Sequence, residues 1–100
     1  MNHLSSSERS YLRSQAHHLE PIALIGKNGV TDGTINTIYK ALNSRELIKI
    51  KFREFKDEKQ ILSEKIADLT NSAVVGIIGH ILILFRQNPD LEKQIYRLKS

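Results

Sequence analysis

Two glycines bracket a lysine and an asparagine at Gly26-Lys27-Asn28-Gly29, just after the apolar run Pro21–Ile25 and just before a segment with helical periodicity. A backbone free to take positive φ can turn successive N–H groups toward an anion, and the absence of Cβ atoms lets a phosphate backbone approach closely. Lys27 adds a charge, so the chemistry open to this loop is phosphate binding, as in the GXXG loop of KH modules. An ordinary strand-to-helix turn explains the same four letters, and a lone G-x-x-G is a weak pattern. A second candidate is the cationic row Lys49, Lys51 and Arg53, three like charges spaced about 7 Å apart along one side of an extended segment. It suits a polyanion, and equally a solvated edge strand guarded against pairing. A third is Arg9 and Arg13 with His17, at i, i+4 and i+8 on one helix face, able to extend a phosphate-tracking surface or simply to be solvated.

Other chemistries find little support. His17 and His18 are neighbours that point about 100° apart on a helix, and His3 and His80 are distant, so no metal site is expected. Glu46, Glu54, Glu58 and Glu64 stand among lysines and arginines at surface-like positions, which argues against paired acid–base catalysis. Without cysteine there is no thiol nucleophile and no disulfide framework. Ser5 to Ser7 read as helix caps. The six aromatics Tyr11, Tyr39, Phe52, Phe55, Phe85 and Tyr96 are scattered and suit core positions, so base stacking on an aromatic sheet is not expected. No cofactor, metal or small-molecule substrate is implied, and the chain reads as a binding protein, not an enzyme.

These residues must be positioned by one domain, since 100 residues with 40% hydrophobic content allow one compact core. The core spans about residues 5–86, with 87–100 as an extension. Fifteen basic against eleven acidic residues give a formal charge of +4, which favours a polyanionic partner. Met1–Ser5 lacks a cationic and apolar leader pattern, so a cytoplasmic location is expected. The most apolar stretch, Ala73–Phe85, is broken by Gly76, Gly79 and His80 and is shorter than the roughly 18 to 20 residues that cross a bilayer, so no membrane role is expected.

Ser5-Ser6-Ser7-Glu8 forms a capping box for a first helix carrying Leu12, Ala16 and Leu19, which Pro21 ends. Pro21–Ile25 reads as a buried strand. Thr31 or Asp32 caps a second helix whose Ile35, Ile38, Tyr39 and Leu42 share a face and which ends near Asn43-Ser44 or slightly beyond. Ile48–Arg53 alternates strictly and is the clearest strand. A third helix covers about Asp57–Asn71, with Leu62, Ile66 and Leu69 as its stripe. Ala73–Ile78 and Ile81–Phe85 form a hairpin around Gly79-His80; the last strand is apolar on both alternations and should be covered on both faces. Asn88-Pro89-Asp90 offers a start for a short closing helix lined by Leu91, Ile95 and Leu98. The order α-β-α-β-α-β-β predicts an α/β fold, with two helices crossing over a four-stranded mixed sheet.

Three runs taken together, Pro21–Thr31, Ser44–Lys51 and Val75–Arg86, resemble the CRM domain (chloroplast RNA splicing and ribosome maturation), and within it the stand-alone YhbY-like proteins. The resemblance implies a fold similar to the C-terminal domain of bacterial translation initiation factor three. It also implies RNA contact through Gly26, Lys27, Asn28 and Gly29, and association with precursors of the large ribosomal subunit. Glu46–Lys51 matches the family's Glu-Leu-aliphatic-Lys-Val-Lys segment. His80 departs from the pattern, standing where bacterial relatives are expected to carry lysine. The expected partner is structured large-subunit ribosomal RNA or a pre-ribosomal particle, bound by a monomer. The alternative is a protein-interaction module docking on assembly factors through the same cations.

Overall fold

The structure is a computed structural model that describes residues 3–98. Helix α1 spans Ser6–Ala16. Its capping box is complete: Ser5 Oγ accepts from Glu8 N–H at 3.1 Å, and Glu8 Oε1 accepts from Ser5 N–H at 2.8 Å. Leu12 and Ala16 are fully buried. Pro21 does not end this helix. The chain leaves it at His17, and the Lys49 ammonium donates to the carbonyls of His17 (3.2 Å) and Leu19 (3.0 Å), closing the helix end from the sheet.

Pro21 instead opens β1, Pro21–Ile25. Helix α2 follows as Asp32–Arg45, with Thr31 Oγ1 accepting from Thr34 N–H at 3.1 Å at its N-cap. It leads into β2, Leu47–Phe52, which pairs parallel to β1. A 3-10 turn at Lys56–Glu58 precedes α3, Lys59–Thr70, and the hairpin of β3, Ala73–Ile78, and β4, Ile81–Phe85, completes the regular structure. The sheet order is β1-β2-β4-β3: β4 runs antiparallel between β2 and β3. The expected four-stranded mixed α/β fold is the one observed. Because β2 is internal, its cationic row is no edge-strand guard.

Alternation along β4 divides the core in two. Leu82 and Leu84 join Ile38 and Leu42 of α2, Ile66 of α3, and Ile48, Ile50 and Phe52 of β2 on one face. Ile83 and Phe85 join Leu12 and Ala16 of α1 on the other, with Tyr96 and Leu98 packed beside them. The strand apolar on both alternations is thus covered on both faces, each fully buried side chain contributing about 1.5–3 kcal/mol.

Several side chains lie elsewhere than periodicity suggests. Tyr39 is exposed, and its ring stacks under the Arg86 guanidinium, 4.4 Å from the centroid. Leu69 is also exposed; α3 buries Ser63, Ile66, Ala67 and Thr70 instead. Tyr11 and Phe55 are not core residues either. No closing helix forms among the described residues: Leu91–Lys93 is a single 3-10 turn capped by the Asp90 side chain, and Leu91 and Ile95 are exposed. Glu46, read as a surface carboxylate, is 1% exposed. It accepts from the backbone N–H groups of Asn88, Ile95 and Tyr96 at 2.5, 2.7 and 3.0 Å, so the extension is pinned by a carboxylate rather than wound into a helix.

Candidate nucleic-acid interface

Parallel pairing brings the carboxyl ends of β1 and β2 together, Ile25 beside Phe52, and the Gly26–Gly29 loop leaves the sheet there. One hydrogen bond, from Gly29 N–H to Gly26 C=O at 2.9 Å, closes it into a turn. The backbone N–H groups and the side chains of Lys27 and Asn28 make no hydrogen bond or ion pair among the described residues, and both residues are exposed. The loop therefore presents free donors beside the positive end of α2. Asp32, in the first turn of α2, already answers part of that dipole, so the loop donors, rather than the helix axis, are the better anion seat.

The two glycines differ. Gly29 takes φ 69°, which calls for glycine, while a Cβ there would only touch the Phe55 ring at 3.4 Å. A Cβ at Gly26 would meet nothing within 4 Å, and this position requires glycine only if something outside the chain must come close.

The bend after β2 is tied to the loop. Arg53 and Glu54 N–H both donate to Ile25 C=O at 3.0 Å, and Phe55, at φ 57°, lays its ring against Gly29. The β3–β4 turn reaches the same end, because Phe52 N–H donates to His80 C=O at 2.8 Å. Gly79 has φ 60° at the first of the two turn positions, as a type II′ turn requires. Lys59, at the start of α3, donates to Gly79 C=O and approaches His80 Nδ1 at 3.2 Å. The His80 pKa is lowered below its ordinary 6.5, first by local desolvation and then by the Lys59 and Lys56 charges. Neutral His80 can accept from Lys59, so at the position where the resemblance expected lysine a neighbouring helix supplies the cation.

The structure brings some of the nine sequence-predicted residues together and leaves others apart. Gly26, Lys27, Asn28, Gly29 and Arg53 meet at the loop end, with Lys51 exposed on the adjoining strand. Lys51 and Arg53 side chains make no hydrogen bond or ion pair among the described residues. Lys49 points the same way as Lys51 but is engaged by the carbonyls that end α1. Arg13 lies across β3, where Gly76 leaves it room: a Cβ there would sit 3.6 Å from its Nη1. Arg9 donates to Leu4 C=O at 2.9 Å and is partly buried. Sequence reasoning missed Phe55, whose ring meets Gly29 because the bend after β2 folds back on Ile25, and Lys59 and Lys56, which lie by the neighbouring β3–β4 turn.

Comparison with known proteins identifies the chain's family. The chain is 39% identical over 98 residues to a Haemophilus influenzae protein named RNA-binding protein, covering 97% of this chain and 99% of the relative. It is 37% identical over 93 residues to the probable RNA-binding protein YqeI of Bacillus subtilis, covering 92% and 96%. A solution structure of a hypothetical Staphylococcus aureus protein, described as a candidate RNA binder, superposes with a TM-score of 0.77 at 34% identity, covering 92% of this chain and 97% of that one. The CRS1 / YhbY (CRM) domain profile matches residues 4–86, and the chain belongs to that family.

Proposed function

We propose that this protein is a non-catalytic, monomeric, cytoplasmic RNA-binding protein that grips structured ribosomal RNA through the Gly26–Gly29 loop and the cations beside it, during assembly of the large ribosomal subunit. The observation that carries the reading is the set of free donors at one end of the sheet: the Lys27 and Asn28 amides, with the unengaged side chains of Lys27, Lys51 and Arg53 nearby. The RNA-binding names of its relatives support RNA as the polyanion. Backbone phosphates are the natural ligand of such a loop, so the protein reads shape and charge before sequence.

Gly26→Asp is the cleanest test, since the fold has room for the side chain and the carboxylate would face the phosphate. Binding to large-subunit ribosomal RNA, measured by filter retention, falls at least about tenfold while the thermal melting curve stays put. For the wild-type protein, log affinity declines against log salt with a slope of about 0.7–0.9 per phosphate contacted. Unchanged binding by Gly26→Asp would remove the loop from the interface. Crosslinking of the bound RNA in cells, followed by sequencing, tests the ribosomal assignment: reads spread evenly over cellular RNA would refute it.

A further inference from the structure

Helix α1 covers only part of its side of the sheet. Its buried contacts, Leu12 and Ala16, sit over Leu47, Val75, Ile83 and Phe85, toward the end away from the loop. At the loop end the register aligns Leu24 with Lys51, Lys51 with Ile81, and Ile81 with Ile78, one row of side chains across all four strands on the α1 side. No helix lies over this row among the described residues. Leu24 is 48% and Ile78 57% exposed, and Ile81 is half-buried.

Single exposed aliphatics are commonplace; here Leu24 flanks Lys51 on one side and Ile81 with Ile78 on the other, in one row that ends at the loop. At a strand spacing of about 4.8 Å the row is about 14 Å long. A recess of about 160 Å³ opens beside it, lined by Arg13, His17, Lys49, Ile78, Ile81 and Ile83, with no carboxylate among them. It is too small to enclose a drug-sized ligand. The surface is thus a flat apolar strip, crossed by Lys51 and bordered by Arg13. Such a strip complements a ligand with planar apolar faces and a regular anionic backbone.

We propose that Leu24, Lys51, Ile81 and Ile78 form a platform for unpaired RNA bases, with Lys51 and Arg13 holding the flanking phosphates and the strand running on to the Gly26–Gly29 loop. The inference rests on the RNA-binding reading above and gives that site its second element: the loop takes phosphates, and the row takes bases splayed out of a loop or bulge. The Lys49 bonds to the carbonyls of His17 and Leu19 fix the end of α1 beside the row, where Arg13 and His17 share the recess with Ile78 and Ile81.

The test compares the wild-type protein with a Leu24→Thr/Ile78→Thr double variant, which keeps strand-favouring side chains at two exposed positions. The probes are a single-stranded oligouridylate, an abasic strand of the same length and a duplex, all at one salt concentration. The wild-type protein binds the base-bearing strand about 5- to 10-fold more tightly than the abasic one. The double variant loses that preference and keeps its abasic and duplex affinities and its salt slope. Should the double variant fail to fold, as judged by thermal melting, Ile78→Thr alone serves, with a smaller loss in the same direction. A preference that survives either folded variant overturns the platform. So does equal wild-type affinity for base-bearing and abasic strands, and if Gly26→Asp still weakens both, the phosphate-loop reading stands. Binding to none of the probes overturns the platform, while the loop reading is decided by Gly26→Asp on large-subunit ribosomal RNA. A protein partner that survives nuclease treatment and is lost with the variant would assign the row to protein instead.

Discussion

The two ends of the sheet are both rich in polar and charged groups, and they use them in opposite ways. At the amino end of β2, Glu46 is buried and holds three backbone N–H groups of the C-terminal segment. One strand away, Arg86 donates to Thr70 C=O at 2.8 Å, Tyr39 C=O at 3.2 Å and Asn43 Oδ1 at 2.5 Å while stacking on the Tyr39 ring. Charge there is spent inside the molecule, and its product is a closed end. About 17 Å away, at the carboxyl ends of β1 and β2, Lys27, Lys51 and Arg53 find no partner among the described residues, so their binding capacity remains for something outside. The lesson is that a count of cations does not locate an interface. What matters is which ones the fold has left unmatched, and Lys49 and Lys51, two residues apart on one strand face, fall on opposite sides of that division.

The sharpest way to break the comparison is at Glu46. Glu46→Ala leaves three backbone donors of the extension without their carboxylate and costs about 2–4 kcal/mol of stability in urea unfolding. RNA affinity at the far end stays within about twofold; a parallel loss of binding in the still-folded variant would show the two ends to be coupled.

A smaller, more discriminating effect comes from the neighbouring lysines. Lys49→Ala loses two charge-assisted bonds to carbonyls at a half-exposed site and lowers stability by about 1 kcal/mol. Lys51→Ala leaves the unfolding curve unchanged and lowers RNA affinity, reducing the salt slope by about 0.7–0.9 if it meets one phosphate. If instead both substitutions act alike on stability, the division between spent and unspent charge fails.

The least perturbing probe is the His80 titration, followed by NMR. Its midpoint lies below the ordinary 6.5, and Lys59→Ala moves it upward by removing a repelling charge. Because the folded pKa is the lower one, whatever stability the neutral ring contributes is fully present above 6.5 and is lost as pH falls through the folded value. A midpoint at or above 6.5 would contradict the cationic character of this end.

Much of this arrangement is legible in the chain because it depends on near neighbours. The alternation Ile48, Ile50 and Phe52 specifies a strand with one apolar face whatever it pairs with, the Ser5–Glu8 capping box needs only its own turn, and the position of Gly26–Gly29 between an apolar run and a helical period places the loop at a strand end. Periodicity could not show Tyr39 or Leu69 turned outward, since a helix face is wider than the surface that ends up covering it.

By itself, then, the sequence determined the elements from α1 to β4, their order, the two-faced burial of β4 and the place of the Gly26–Gly29 loop at a strand end, all consequences of steric and hydrophobic rules acting over a few residues. Only the tertiary structure decided what each charge does. Glu46 meets donors 42 to 50 residues away, Lys49 meets carbonyls 30 and 32 residues away, and the row from Leu24 to Ile78 exists only once four separate strands lie in register. Electrostatic and hydrogen-bonding partners are chosen by distance in space, and local pattern carries no record of that distance.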